Sequence, residues 1–547
     1  VVADSNAVMD VYQPAELITE VVMSSGSIIF APDDPFVYLV SRLSQSGGLI
    51  NIQSGSSVSL TDSFNHVGGD TLVAGLLTVA SGASYTLNGA SAKLTGLSSV
   101  LGRAVIDGSF TWLDGGIVKS VLPPSYPMNV LTVSTIGQMT VSGPSAKSIQ
   151  GWNLELLGLM SWNSSDIVLS NSLLLVKPSA VFDVIAADVH VYQVDTVGGP
   201  PSAIDVEGTF RFSGSGLLLV EVPTSIGVSS SGALWQVLSG SSRFTEPVVM
   251  TQGRVNLRDT SAVFVVNGTS GEFKRGSVVD GSGFVVIADD SSLLSRATVQ
   301  LGGVGGVLLA GHIAGVAASG VFEAGSMIDG RVIVNGGSVQ FRSSGEAGFV
   351  HQVADVLLSS SSSSASVDGS TVLNVSRLLQ STQGGVISVG GRVNVAVGSV
   401  WNLQDTDVIA TTDAAQVSVE GALHWYSGGF SVSSSVVSSI RPELVFATGS
   451  TWDLQSPGVG STVSGKNVNG WNVVAQSGSQ SSWIVGPLTL TSSLVLMSGS
   501  ATISGSFVVS STDGCVSELS IDGVMESLGA SSTVDMSVKV NVLSGGV

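Results

Sequence analysis

Residues 108–117 read GSFTWLDGGI and residues 421–430 read GALHWYSGGF. In both stretches apolar side chains alternate with small or polar ones: Phe110 and Trp112 in the first, Leu423 and Trp425 in the second. A period of two sets these residues on one face of a strand, and that face must be buried. The Gly-Gly that closes each stretch marks a turn. The two tryptophans are 425 − 112 = 313 residues apart. A second pair of stretches follows in the same order, KSIQGWN at 147–153 and KNVNGWN at 466–472, offset by 466 − 147 = 319. Weaker echoes flank them, GASYTL at 82–87 against GSVWNL at 398–403 and VEG at 206–208 against IDG at 521–523. Matched tryptophan blocks in one order mark a long-range duplication, and the drift in offset places small insertions in connecting loops. The reading assigns 49–230 to a first copy, 365–547 to a partial second copy, 231–364 to connecting coils and 1–48 to a lead-in.

A shorter pattern underlies the long one. Strands of three to five residues, such as FRF at 210–212, VIV at 332–334, VNV at 393–395 and VKVNV at 538–542, are closed by Gly, Ser, Asn or Asp. Asp107-Gly108, Glu207-Gly208, Glu420-Gly421 and Asp522-Gly523 read as turns whose glycine takes a positive φ. Only 15–23 offers a candidate amphipathic helix. Short Val-rich strands without two-residue hairpin loops point to parallel stacking. Polar connections at 123–127, 198–202 and 359–364 read as loop insertions. The expected fold is all-β, a parallel β-helix (β-solenoid), right-handed, of roughly 25 coils. Trp112, Trp152, Trp425 and Trp471 are its core markers, because aromatics at 6% are too few for an exposed sugar platform.

Composition narrows the function. Hydrophobic residues make up 43% and charged residues 11%, with a mean hydropathy of +0.46. The nearest approach to a membrane span, 304–322, is broken by glycines and His312, so no transmembrane segment is expected. Twenty Lys and Arg scattered through a chain of net charge −20 do not form a nucleic-acid surface. That acidity suits a large apolar scaffold that must stay in solution. The single cysteine, Cys515, leaves no disulfide framework and reads as a small buried residue. Neither 1–10 nor 539–547 reads as a polar cap, so the ends are expected to continue into further chain or to abut a neighbouring subunit. Sequons at Asn163, Asn267 and Asn374 are candidate N-glycosylation sites.

The combination G-x-[FL]-x-W-x-x-G-G-[IF] followed by K-x-[IV]-x-G-W-N resembles extracellular parallel β-helix proteins of the pectin-lyase-like class, particularly its large repetitive surface proteins. It is also similar to the repeat chemistry of shaft proteins of tubular flagellar hairs, the mastigonemes. The resemblance implies secretion to the cell surface, glycosylation, and a role as adhesin or fibre subunit.

Chemistry is sparse. Resemblance to polygalacturonases would call for Asn-Thr-Asp, Asp-Asp, Gly-His-Gly and Arg-x-Lys in order; Asp289-Asp290 is the only internal Asp pair with a suitable strand before it, Gly311-His312 is followed by Ile313, and the other two elements are missing. His66, His190, His312, His351 and His424 stand apart without metal-ligand spacing, and His424 is expected to face solvent. Asp405 and Asp407 lie at strand spacing on one face and could meet a cation, although the calcium-binding nonapeptide is missing. The glycines of 302–311 fail the dinucleotide spacing. No catalytic residue, cofactor or metal site is assigned. The expected function is a structural subunit of an extracellular filament or surface layer that self-associates or joins other fibre subunits and carries glycans. An adhesin-like binding module and a carbohydrate-active β-helix enzyme are the readings from other classes.

Overall fold

The strand Ser109–Trp112 shows how a coil is made. Phe110 and Trp112 are buried while Ser109 and Thr111 remain partly open to solvent. The strand pairs in parallel with Ser84–Leu87 on one side and Gln138–Val141 on the other, residue against residue. In the computed structural model this rule recurs along the chain: strands pair with the third strand onward, three to a turn, in a parallel β-solenoid of about 20 turns. The structure describes the chain apart from residues 1, 4–7, 12–17, 32–36, 98–99, 120–127, 195–198, 289, 303–304, 311, 314–315, 324–326, 344–348, 435–440, 456–465, 484–485, 492, 504–505, 512–517, 522–523, 528–532, 538 and 543–547.

In-register pairing stacks like on like. Phe110, Met139, Met160, Phe182, Phe210 and Trp235 follow one another as register partners and fill one interior column. Phe210 lies flat on Trp235 with ring centroids 4.0 Å apart. Close packing of this kind leaves no room for a bound ligand inside the column.

The chain divides into two compact units, Val1–Val265 with Gly276–Val278 and Val266–Arg275 with Val279–Val547. The first holds the 49–230 block and the second the 365–547 block, and each is built by the same coil rule.

Several expectations change. The turns number about 20 rather than 25, because corners lengthen the coils. Register partners are 176 − 156 = 20 residues apart at Leu156 and Val176 but 141 − 112 = 29 at Trp112 and Val141. The candidate helix at 15–23 is a strand over its described part, Ile18–Met23, consistent with its β-branched content. The serines of 359–364 form a coil corner that leads into the strand Ser363–Val367, with Ser363 Oγ donating to Val334 O at 2.7 Å. Gly108, Gly208 and Gly421 are absent from the positive-φ residues. A Cβ on Gly108 would instead strike the carbonyl oxygens of Ala80 and Ala83, and one on Gly421 those of Ala396 and Ser399. These glycines are there because the corner of one coil packs onto the backbone of another.

The stretch 304–322 contains the strands Gly306–Ala310 and Ser319–Phe322 and a small antiparallel pair, His312–Ile313 with Val316–Ala317. No helix among the described residues is long and apolar enough to cross a membrane. Cys515, the connection 123–127 and the last five residues lie outside the described residues.

Candidate functional site

The tryptophan blocks build the same interior twice. Trp112 and Trp425 each close a strand, Ser109–Trp112 and Ala422–Trp425, and both are buried. Trp152 opens the strand Trp152–Leu156, Trp471 directly precedes Asn472–Ala475, and neither has accessible surface. The Trp152 indole N–H donates to Val118 O at 2.8 Å, and that of Trp471 donates to Ser431 O at 2.7 Å. The accepting residues are 431 − 118 = 313 apart, the offset of the first tryptophan block. Gly151 and Gly470 both have positive φ, and their N–H groups donate at 2.9 Å to Ser170 O and Thr491 O. Ser172 Oγ lies 3.0 Å from Ile149 O and 2.8 Å from Ser170 O; Ser493 Oγ lies 3.1 Å from Val468 O and 2.8 Å from Thr491 O. A third tryptophan pair, missed in the sequence, ends the strands Leu159–Trp162 and Gln480–Trp483, offset by 483 − 162 = 321. Its flanks, LMS against QSS, share too little for sequence comparison alone.

The lysine of each K-x-[IV]-x-G-W-N block is the unexpected member, because it faces inward without accessible surface. Lys147 Nζ donates to Ser145 O and lies 3.3 Å from Ser165 Oγ; Lys466 Nζ donates to Gln455 O at 2.7 Å. Burial lowers the pKa of both. For Lys147 the Asp114 carboxylate opposes the shift. Lys466 is brought down to about 8. An interior ammonium that holds a corner carbonyl replaces water lost on burial.

Other residues singled out in the sequence stay apart. Asp405 and Asp407 do not share a face. Asp405 takes a left-handed φ of 49° at a corner and accepts Ser427 Oγ–H at 2.6 Å, while Asp407 is exposed in the strand Thr406–Ala410. The corner rotates one carboxylate away from the other, which removes the cation reading. Asp290 is a turn residue with φ of 58°. His66 and His351 are interior residues, and burial brings each to about 4. His424 is only partly open to solvent, its Nδ1 3.2 Å from Asp453 Oδ2. Ser482 follows Asp453 in register, so the carboxylate stands between imidazole and hydroxyl. A nucleophilic triad needs the imidazole in the middle. Among the described residues no three His, Cys, Asp or Glu gather to hold a metal ion.

A polar recess of about 380 Å³ lies on the second unit. Gln352, Asn374 and Asn394 are stacked there as register partners, with Ser376 and Glu420 at its side. Asn394 Nδ2 donates to Asn374 Oδ1 at 2.8 Å, which ties the third sequon into the wall. Asn163 is exposed at the corner after its strand, and Asn267 is half-buried.

No protein-family model and no curated protein sequence matches the chain. What fold and interior define is a class, the parallel β-solenoid repeat proteins.

Proposed function

We propose that the chain is a structural subunit of an extracellular filament or surface layer, of the flagellar-hair shaft kind, which self-associates through its solenoid units and carries glycans at exposed sequons such as Asn163. The observation that supports this most is the matched interior of the two blocks, with its buried lysine and with tryptophan and serine contacts kept at offsets of 313 to 321 residues. Conserving a core through duplication extends a scaffold, whereas duplicating an enzyme would repeat a reactive site on the surface. The stacked amides of the 380 Å³ recess favour a second reading, an adhesin-like binding module. Negative-stain imaging of native material separates the two. Filaments or sheets are the expected result. Monodisperse particles at high protein concentration would overturn the structural reading, and turnover of a polysaccharide by such particles would establish the enzyme in its place.

A further inference from the structure

The two blocks bury the same lysine and support it differently. Lys147 has the Asp114 carboxylate opposing its desolvation and Ser165 Oγ at 3.3 Å. The matching positions, 114 + 313 = 427 and 165 + 321 = 486, are Ser427 and Gly486. The second block has therefore lost both the counter-charge and the hydroxyl. Lys466 retains the Gln455 carbonyl, and burial lowers its pKa. The strands in register with Lys466–Asn469 bring Gly428, Phe430, Leu488 and Leu490 beside it, none of them titratable. On the preceding strand Asp453 faces outward and pairs with His424, while Asp405 is tied to Ser427.

We propose that Lys466 is a protonation switch in the second unit: the strand Lys466–Asn469 opens locally more often when the buried side chain is an ammonium than when it is a neutral amine, and the matching strand Lys147–Gln150 responds less over the same pH range. The sign follows from linkage. Lys466 sits at about 8 when buried and at the ordinary 10.5 when opened to water. The open state binds the proton more tightly, so the closed strand gains stability as pH rises through this window and loses it as pH falls. The inference concerns conformation and does not rest on the assembly proposed above.

Hydrogen exchange of the full chain, followed by mass spectrometry and corrected for the intrinsic pH dependence of exchange, tests it. Protection of 466–469 is expected to rise about tenfold between roughly pH 7 and 9, one decade for each unit of pKa difference expressed in that interval. Protection of 147–150 is expected to rise less, because the Asp114 carboxylate opposes the effect of burial on Lys147. Lys466→Met should abolish the rise. Asp114→Asn, which keeps an acceptor for the Gly115 N–H, should enlarge the rise at 147–150. Level protection at both strands in the parent chain, or a rise that persists in Lys466→Met, overturns the proposal. If Lys466→Met does not fold, the Asp114→Asn arm decides, and an unchanged pH dependence there overturns it.

Discussion

Trp112 and Trp425 occupy matched places but differ in one hydrogen bond. The Trp112 indole N–H reaches Gly115 O at 3.2 Å, whereas that of Trp425 has no partner among the described residues. Replacing Trp152 or Trp471 by Phe strands a buried carbonyl and should lower stability by about 1–3 kcal/mol beyond the packing loss. Trp425→Phe carries only the packing loss. Denaturant unfolding of the three variants checks the order, and equal losses would argue against the indole contacts. Gly108→Ala and Gly82→Ala form a second contrast. Gly82 has φ of 83° with open space around it, so Ala there meets only backbone strain of about 1 kcal/mol. Ala at Gly108 meets fixed backbone of neighbouring corners and should destabilise more. The sequence reveals a glycine at both places. It cannot distinguish them, because the atoms that exclude a Cβ from Gly108 belong to residues 25 or more positions earlier. His66 gives a pH test. Gly69 O, 2.9 Å from Nε2, can only accept, so Nε2 carries the proton and Nδ1 accepts the Tyr85 hydroxyl at 3.0 Å. Burial holds this imidazole at about 4 against 6.5 when unfolded. The contribution is fully present above 6.5 and is lost as pH falls toward 4, by about 3 kcal/mol at most. Unfolding midpoints across that range should fall more steeply in the parent chain than in His66→Gln.

At the scale of the strand, alternation was legible and the corners were not. Burial in the strand Ala422–Trp425 falls as its apolar residues predict, Leu423 and Trp425 inside. The pairs of charges that stabilise corners are invisible in sequence, because their members come from successive coils. Asp355, with only 5% of its side chain exposed, lies between Arg331, whose Nε is 3.4 Å from Oδ2, and Arg377, whose Nε donates to Oδ1 at 2.6 Å. Both arginines are about half exposed. This predicts an asymmetry. Asp355→Asn leaves two cations that water can solvate and should be mild. Arg331→Met with Arg377→Met leaves a buried carboxylate without partners and should lower stability by about 3–5 kcal/mol. Thermal unfolding of the two variants decides, and a larger loss in Asp355→Asn would contradict the burial argument. The interior lysines were legible as motif residues, but their inward direction was not, since a lysine that opens a strand ordinarily faces water.

At the scale of the molecule, the assembly proposed above rests on a coil rule readable from a ten-residue stretch and repeated in both units. The duplicated blocks and the parallel stacking follow from alternation, turn residues and the order of the tryptophans; the polar recess depends on which corners bring Gln352, Asn374 and Asn394 into register, and no short motif encodes that. Fibre diffraction from aligned native material tests the claim most directly. Solenoid coils stacked along a filament place strands about 4.8 Å apart along its axis. A strong meridional reflection at that spacing is the expected result, and material that does not align, or whose strand spacing lies on the equator, would contradict the proposed assembly.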